Sequence, residues 1–333
     1  MTVFVTGASG VLGRPVVRLL RAAGREVKAL CRSPQNEALL TRLGATPVAA
    51  DLFDAGSMAR ALQGCESLLH LATKIPDAAK MKEPGAWDEN DRIRRDGTRA
   101  LTAAAVQAGG LRSIVYPSVT FVYADHGDQW IEATSAALDV ASNLQSTLDA
   151  EADVARFAEG APERRGVVLR FGAFYGPASP LSRQTLDMAR KGLALPVAAA
   201  GAYKSFIWID DAAGAVVSAL ERAPSGVFDV VEDEPSTQRE LRAALAAATG
   251  RRRLFTLPRW LLRNALPAEI RALLARSQRV SNTRFRKATG WQPSVPDQRA
   301  GWLRMNAACA GAPDRDPQGE SRRTSTDPHP NHP

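Results

Sequence analysis

The feature that most constrains this chain is the pattern at its N-terminus, where an apolar run is followed by three closely spaced glycines. Residues 2–5 read Thr-Val-Phe-Val, then come Gly7, Gly10 and Gly13, and apolar residues recur at helical spacing from Val16. The order is strand, glycine loop, helix. Glycine is needed in such a loop because a Cβ would keep backbone N–H groups and the helix N-terminus away from a pyrophosphate. We assign Gly7 to the turn, Gly10 to the close approach and Gly13 to the helix-to-sheet contact. This context favours a dinucleotide-binding loop over an ordinary glycine turn.

The following part of the chain alternates short apolar runs with helical stretches. Apolar runs at 47–52, 67–72 and 113–118 each end in a polar or small residue, and 98–108 has a helical pattern. This alternation predicts an α/β fold, a Rossmann-like doubly wound parallel sheet with right-handed crossovers and helices on both faces. Ligands of such sheets bind at the carboxyl ends of the strands. The residues expected at those ends are Asp51, Ala72, Thr73 and Ser118.

The second predicted strand, at 26–33, ends with Arg32 at the place that faces an adenosine ribose in this fold. An acidic residue there would accept a hydrogen bond from the 2′-hydroxyl of NAD(H). A guanidinium instead suits a 2′-phosphate through paired, charge-assisted hydrogen bonds. The sequence therefore favours NADP(H) as the cofactor, and the alternative is a solvated surface arginine.

Composition limits the other function classes. The 333 residues, 45% of them hydrophobic, are enough for one wide domain or for a domain with an appended lobe. No apolar run approaches the roughly eighteen residues of a membrane helix, and the first strand begins too early for a signal peptide. We expect a cytoplasmic protein. The three cysteines are far apart and lack histidine partners, so the pattern predicts neither a disulfide framework nor a metal site.

The formal net charge of +8 has two interpretations. Basic residues gather between Arg251 and Arg304, but no nucleic-acid motif or interleaved aromatic pattern accompanies them. We interpret them as a solvated basic face, with attraction of an anionic cofactor or substrate as the alternative. Neither nucleic acid nor membrane is an expected partner.

Three further segments have local predictions. His70 lies inside an apolar run, which favours a core histidine over a catalytic one. Residues 74–91 are polar and contain prolines and a glycine, which predicts a loop over the sheet edge. Residues 312–333 are rich in Pro, Asp, Arg, Ser and His without apolar periodicity, which predicts a disordered tail.

Several motifs in family order resemble the extended short-chain dehydrogenase/reductases, the group that includes nucleotide-sugar epimerases and dehydratases. The likeness runs from Met1 to about Trp302. It rests on the segments 6–13, 51–52, 97–98, 168–177, 206–212, 226–230 and 290–293. The resemblance implies a Rossmann-like NADP-binding domain at 1–175, to which 204–231 returns, and a smaller C-terminal substrate-binding lobe at 176–203 and 232–302.

The resemblance also implies a set of cofactor-binding residues along the carboxyl edge of the sheet. They are Gly7, Ser9, Gly10, Val11, Leu12, Gly13, Arg32, Asp51, Leu52, Ala72, Thr73, Ser118, Phe171, Gly172 and Phe174.

The chain departs from the family at the usual catalytic residues. Members carry a Ser or Thr and a Tyr-x-x-x-Lys, in which the tyrosine exchanges a proton with the substrate and the lysine lowers the tyrosine pKa. Alignment on Glu151 puts Asn143 at the tyrosine position and Thr147 at the lysine position. No Tyr-x-x-x-Lys appears nearby under any shift. In this respect the chain is similar to the atypical ketoreductases of simocyclinone-type angucyclinone biosynthesis.

An amide cannot donate a proton at a useful pKa, and an unassisted hydroxyl is too weak an acid. Ser118, Thr120 and Asn143 are therefore candidates only for polarising a carbonyl by hydrogen bonding. The proton would come from water or from a hydroxyl on the substrate.

Other candidate residues have structural alternatives. Tyr123, Tyr175 and Tyr203 lie in segments that border the family's active-site cleft, but an aromatic of this kind is more often in the core. Asp210 and Asp211 form a carboxylate pair, which we expect to cap a helix N-terminus. The residues that would line an apolar pocket or pack the lobe are Trp208, Trp260, Leu261, Leu262 and Leu266.

The leading hypothesis is an NADPH-dependent ketoreductase that reduces a ketone of a bulky aromatic polyketide without the Tyr/Lys pair. The alternative is a non-catalytic NADP(H)-binding sensor or scaffold, which the loss of both residues fits directly. An epimerase or dehydratase acting on a nucleotide sugar is the weakest hypothesis, since that chemistry relies on the missing base. The oligomeric state is not predicted.

Overall fold

The computed structural model describes residues 1–76, 80–81, 83–140, 144–195, 197–257 and 267–310. The strands of these residues are β1 (Thr2–Thr6), β2 (Glu26–Cys31), β3 (Thr46–Ala49), β4 (Ser67–His70), β5 (Ser113–Val119), β6 (Trp130–Ile131), β7 (Arg165–Phe171), β8 (Ala173–Tyr175), β9 (Leu193–Ala194), β10 (Tyr203–Lys204), β11 (Phe206–Trp208), β12 (Gly226–Val230), β13 (Ser236–Thr237), β14 (Phe255–Thr256) and β15 (Arg279–Val280).

The helices of the described residues alternate with these strands. They are α1 (Gly13–Ala22), α2 (Pro34–Arg42), α3 (Ala55–Ala61), α4 (Asp88–Arg92), α5 (Thr98–Ala108), α6 (Gln145–Glu159), α7 (Pro180–Arg190), α8 (Ile209–Arg222), α9 (Gln238–Ala248), α10 (Ala268–Ala275), α11 (Thr283–Thr289) and α12 (Gln298–Ala310). A π-helical turn, Ile93–Gly97, joins α4 to α5.

A seven-stranded parallel sheet organises the molecule, in the order β12-β7-β5-β4-β1-β2-β3. The chain builds outward from β1 to β3 on one side and then returns to place β4 on the other side of β1. The strand order therefore reverses between β1 and β4, which is where ligands bind in open sheets of this kind. At the carboxyl ends of these two strands, Thr6 pairs with His70.

Alternating side chains of the strands fill two separate cores, one on each face of the sheet. Val3 and Val5 belong to the core under α1 and α8, whereas Phe4 between them belongs to the core under α5 and α6. All three side chains are fully buried. The predicted doubly wound α/β class is thus confirmed.

A third core lies in the C-terminal part of the chain. It includes Leu186 of α7, Leu245 of α9 and Trp302 with Met305 of α12, together with Trp208. Trp208 is 2% exposed and packs edge-on against Tyr175, with ring centroids 5.2 Å apart. Its role is packing. The exact bounds of the predicted lobe stay a prediction, and Trp260, Leu261, Leu262 and Leu266 lie outside the described residues.

Local predictions differ from the structure mainly at element ends. The helix predicted at 98–108 has those bounds, but β3 ends at Ala49 and β4 at His70, so Asp51 and Ala72 lie in the loops that follow. The predicted loop at 74–91 holds the start of α4 at Asp88. No helix of the described residues is both long and apolar enough to cross a membrane. The predicted tail, 312–333, lies outside the described residues.

Candidate cofactor and active site

The glycine loop joins β1 to α1 and its glycines have distinct geometries. Gly7 has φ +68°, and a Cβ there would lie 2.6 Å from the Leu71 carbonyl carbon. A Cβ on Gly13 would lie 2.7 Å from the Cα of Ala8. Both positions are therefore closed to side chains by neighbouring backbone. The atoms close to Gly13 belong to the glycine loop, at Gly7 and Ala8, so the requirement for glycine seen here is separate from the predicted helix-to-sheet contact.

Gly10 is the exposed glycine of the three, and the one atom near its Cβ position is the Gly7 carbonyl oxygen at 3.1 Å. Next to it, Val11 is 43% exposed while Leu12 is buried. Leu12 is the N-cap of α1 and no side chain caps this helix end. The N–H of Arg14 donates to the Gly10 carbonyl oxygen and Pro15 has no N–H, so in the first turn of α1 the N–H left without an acceptor among the described residues is that of Gly13. This N–H at the positive end of the helix suits an anion. The cradle that a Cβ would fill fits a dinucleotide pyrophosphate.

Ser9 takes part through its backbone, because its carbonyl oxygen accepts a hydrogen bond of 2.6 Å from Nε of Arg14. This bond fixes the loop against the first turn of α1. The Ser9 side chain is half-buried at the mouth of the loop.

Arg32 lies immediately after β2, as the sequence predicts. Its side chain is 57% exposed, and a guanidinium nitrogen lies 3.9 Å from a carboxylate oxygen of Glu89 in α4. Such an exposed pair is weak, so a ligand phosphate can compete for the guanidinium. Glu89 was not among the predicted site residues. It lies 57 positions later in a polar segment, and no local pattern points to it.

Asp51 and Leu52 form the turn after β3. A carboxylate oxygen of Asp51 accepts a hydrogen bond of 2.9 Å from the backbone N–H of Phe53, and the side chain is exposed. Leu52 is 3% exposed, and its side chain reaches within 3.2 Å of the Cβ position of Gly97. The Asp51 carboxylate, which accepts one hydrogen bond, therefore lies exposed at the carboxyl edge of the sheet. Leu52 packs in the core beneath that edge.

Ala72 and Thr73 follow β4 beside the glycine loop. The backbone N–H of Ala72 donates to Oγ1 of Thr6 over 3.3 Å, which holds this segment against Gly7. Thr73 is exposed at the same edge.

At the end of β7, Phe171 is buried and Phe174 is 37% exposed, with their rings 5.2 Å apart. Gly172 lies between them. A Cβ on Gly172 would lie 2.7 Å from the Ser205 carbonyl oxygen, so a close backbone approach requires glycine here. Phe174 is the one residue of this group with a ring open to a ligand.

The candidate catalytic hydroxyls lie in the interior. Ser118 is 1% exposed and its hydroxyl donates to a carboxylate oxygen of Glu151. Thr120 is 2% exposed in the short turn after β5. Asn143 lies outside the described residues. For Ser118 to polarise a substrate carbonyl, its hydroxyl would have to leave Glu151.

Glu151 belongs to a buried polar network that runs from α6 to β12. Arg170 binds both of its carboxylate oxygens, at 2.6 and 3.0 Å, and also donates to the Tyr123 hydroxyl over 3.1 Å. That hydroxyl donates in turn to Asp229 over 2.6 Å. Burial raises the pKa of Asp229 to about 7 and raises the pKa of Tyr123. Tyr123 is a poor proton donor because its proton is committed to Asp229.

Tyr175 and Tyr203, the other two tyrosines considered, differ in access. The Tyr175 hydroxyl donates to Glu232, which also accepts two bonds from Gln298, and burial raises the Glu232 pKa to about 8. Tyr203 is half-buried, and the Arg279 guanidinium lies over its ring at 4.8 Å. Tyr175 is thus a packing residue, while Tyr203 lines a cavity of about 730 Å³ in the C-terminal part.

Asp210 and Asp211 are structural, but the predicted capping role is wrong. No side chain caps the N-terminus of α8. The Asp211 carboxylate instead accepts backbone N–H bonds from Ser294 at 2.9 Å and Val295 at 3.0 Å, and Asp210 accepts from Trp208. The reason is that a distant segment of backbone packs against the helix start and competes for the carboxylate. Asp211 thereby ties the C-terminal segment to the sheet domain.

One cluster at the switch point was not foreseen. His70 is 1% exposed, as predicted for a core residue, and its Nδ1 lies 2.7 Å from Oγ1 of Thr6. Burial lowers the His70 pKa to about 4, so the ring is neutral near pH 7. Arg94 lies beside it at 6% exposure and donates to the hydroxyl of Thr147. No apolar periodicity in the sequence points to Arg94, because the buried positions of this face include the polar residues Asn90 and Thr98.

Comparison with known proteins identifies the chain at the level of family. The model of the NAD dependent epimerase/dehydratase family matches residues 3–230. The chain belongs to this family. The match spans the sheet, the glycine loop and the edge described above, so the resemblance predicted from the motifs is confirmed.

Two of the relatives that resemble this chain have names that describe reductases. The chain is 32% identical over 308 residues to a 3-diazoavenalumate denitrifying reductase of a Streptomyces species, covering 90% of this chain and 99% of the relative. It is 28% identical to a 2-alkyl-3-oxoalkanoate reductase of Shewanella oneidensis, covering 74% and 66% respectively. These names and the family support an NAD(P)H-dependent oxidoreductase.

The solved structures confirm the fold. The human epimerase family protein SDR39U1, solved with NADPH, superposes with a TM-score of 0.79 at 24% identity, covering 92% of this chain and 99% of the human one. The Rossmann-like architecture is therefore shared along nearly the whole chain. The cofactor class is a nicotinamide dinucleotide.

Proposed function

We propose that this protein is an NADP(H)-dependent reductase of secondary metabolism that transfers a hydride to an aromatic acceptor and donates no proton from a tyrosine. The observation that carries the proposal has two parts. The glycine loop is open to a ligand, and the hydroxyls of Ser118 and Tyr123 are buried and already donate hydrogen bonds to carboxylates. Gly10 and the uncapped start of α1 are open, whereas Ser118 and Tyr123 bond to Glu151 and Asp229.

Binding and orientation would fall to the open half of the edge. The glycine loop and the α1 N-terminus would hold the pyrophosphate, and Arg32 would bind a 2′-phosphate by displacing Glu89. The bound dinucleotide would supply the hydride. Phe174, exposed beside the edge, would pack against a planar ring. Positioning of this kind contributes roughly 7–11 kcal/mol to a barrier reduction.

The acceptor must then be reduced by the hydride without receiving a proton from the protein. One class that fits is the ketone of a bulky aromatic polyketide, where a neighbouring hydroxyl on the substrate or a water supplies the proton to the carbonyl oxygen. The absence of a Tyr-x-x-x-Lys near Glu151 supports this class.

A second acceptor class is favoured by the Streptomyces relative, whose name describes removal of nitrogen from a diazo-bearing aromatic acid. An arenediazonium ion that gains a hydride loses dinitrogen, so the carbon–nitrogen bond breaks and a hydrogen takes its place on the ring. Charge and atoms balance without any proton. A site with no free acid is sufficient for this reaction.

The test is label transfer from NADPH carrying deuterium at the transferred position. Purified protein would be offered hydroxylated aromatic ketones and, separately, an arenediazonium carboxylate, and products would be analysed by mass spectrometry. Deuterium on a carbinol carbon supports the ketone class, and deuterium on an aromatic ring carbon supports the diazo class. Tight NADPH binding with no labelled product from either set would favour the sensor or scaffold hypothesis instead.

A further inference from the structure

Arg94 has an unusual environment for a cation. It lies in the π-helical turn Ile93–Gly97 and is 6% exposed. One guanidinium nitrogen donates to the Thr147 hydroxyl, and Nε has no hydrogen-bond partner among the described residues. Single π turns inside helices occur frequently at functional sites.

No carboxylate in the part of the chain that the structure describes forms an ion pair with the Arg94 guanidinium. The nearby carboxylate on α6 is Glu151, and Arg170 already binds both of its oxygens. A buried cation without a counter-ion is costly, so retention of one indicates that a ligand supplies the anion.

The position of Arg94 near the carboxyl ends of β1 and β4 indicates which ligand could supply the anion. Its charge acts on His70, the last residue of β4, which contacts Thr6 at the end of β1. Thr6 immediately precedes Gly7. Arg94 and the preceding Ile93 therefore lie near His70 at the carboxyl end of β4, next to the end of β1 where the strand order reverses. Two more buried polar atoms of this cluster, His70 Nε2 and the Tyr116 hydroxyl, also have no partner among the described residues.

We propose that Arg94 is a cofactor-binding residue whose guanidinium, with its unpartnered Nε–H, binds the phosphate on the nicotinamide side of the dinucleotide. Thr147 orients the guanidinium through its hydroxyl. The motif alignment puts at Thr147 the family's lysine, which holds the cofactor ribose. Because Arg94 donates to Thr147, it brings a cation close to that ribose and to the phosphate attached to it. This proposal rests on the proposed function only in requiring that the chain bind NADP(H), whether or not a hydride moves.

The experiment compares two probes by isothermal titration calorimetry. NADPH carries the nicotinamide-side phosphate, and adenosine 2′,5′-bisphosphate lacks the nicotinamide half. Arg94→Met should weaken NADPH binding about 10- to 100-fold, the loss expected when a charged hydrogen bond is removed, and should leave adenosine 2′,5′-bisphosphate within about twofold of wild type. Arg94→Lys should retain most of the affinity. Thr147→Lys added to Arg94→Met should recover NADPH affinity, because it returns a cation to the same site.

A structural role for Arg94 predicts a different result. Arg94→Met would then lower the melting temperature while NADPH affinity stayed at the wild-type value, and the proposal would be overturned. If Arg94→Met binds neither probe, Arg94→Lys decides: preferential retention of NADPH supports the proposal, and equal loss of both probes overturns it. Wild-type protein that binds NADPH but transfers no deuterium to either set of acceptors would favour the sensor or scaffold hypothesis and leave the Arg94 assignment standing.

Discussion

The carboxyl edge of the sheet has an open half at β1–β2 and a closed half at β5–β7, and the two use their polar groups in opposite ways. In the open half, Gly10 is exposed and the N-terminus of α1 has no capping side chain. In the closed half, Ser118 is bonded to Glu151, and Tyr123 is bonded to Asp229. The comparison teaches that the edge keeps an open glycine loop at β1, while the hydroxyls considered as candidates for catalysis belong to a buried hydrogen-bond network.

The largest expected effect is on the open half. Gly13→Ala places a methyl group 2.7 Å from the Cα of Ala8, so the loop must shift and the cradle is lost. We expect NADPH binding to fall below detection by calorimetry. Gly201→Ala is the matched control, because no atom lies within 4 Å of its Cβ position. Retained NADPH affinity in Gly13→Ala would contradict the assignment of this loop to the cofactor.

Substitutions in the closed half should lower the free energy of unfolding. Glu151→Gln leaves the buried Arg170 with a neutral partner, which costs about 3–5 kcal/mol in free energy of unfolding. Asp187→Asn is the control, since its pair with Arg190 is exposed and contributes about 0–1 kcal/mol. Urea unfolding of both variants measures the difference. Equal small losses would show that the network does not support the fold.

The relative affinity for NADPH and NADH tests the role of Arg32 at the end of β2. Arg32→Asp should weaken NADPH binding by about 1.5–3 kcal/mol, the value of a hydrogen bond to a charged group, and should not weaken NADH binding, because the new carboxylate can accept from the 2′-hydroxyl. Parallel titrations with the two cofactors measure this. Equal affinity of the wild-type protein for NADH and NADPH would refute the preference for NADP(H).

A pH dependence follows from the buried carboxyl groups. Burial raises the pKa of Asp229 to about 7 and of Glu232 to about 8, above their unfolded values near 4. These two carboxyl groups bind more protons in the folded than in the unfolded state, so each lowers stability as pH rises from about 4 to its folded pKa, by at most about 1.4 kcal/mol per pH unit. His70, whose pKa burial lowers to about 4, has the opposite effect between about pH 4 and 6.5, so the fall in stability is clearest above about pH 6.5. Glu232→Gln should reduce this slope in chemical denaturation between pH 5 and pH 8. An unchanged slope would exclude Glu232 as its source.

The smallest expected effect concerns Glu89. Because its carboxylate lies 3.9 Å from the Arg32 guanidinium, Glu89→Gln should free Arg32 and tighten NADPH binding by about 0.2–1 kcal/mol. NADH affinity is the internal control and should not change. Weaker NADPH binding in this variant would mean that Glu89 supports the site rather than competing with the phosphate.

The part of the site that depends on local rules could be predicted from the sequence. The order of strand, glycines and helix follows from spacing over residues 2–20, and the position of Arg32 follows from counting along one strand. These features need no knowledge of distant residues.

The closed half could not be predicted because its contacts join residues far apart in sequence. The bond between Ser118 and Glu151 spans 33 positions, that between Arg94 and Thr147 spans 53, and that between Tyr123 and Asp229 spans 106. No periodicity encodes such pairs, and they form only once α6 packs against β5 and the π-helical turn, and β5, β7 and β12 lie side by side. The predicted capping role of Asp211 failed for the same reason.

The most direct test of a reductase that donates no proton from these side chains is the rate of hydride transfer in a single turnover. Wild type, Ser118→Ala and Tyr123→Phe would be mixed with labelled NADPH and the acceptor that accepts deuterium in the panel. If the two hydroxyls only support the fold, the rates of all three should agree within about threefold. A hundredfold loss in either variant, with NADPH affinity and melting temperature preserved, would show that a protein hydroxyl acts in the reaction and would contradict the account.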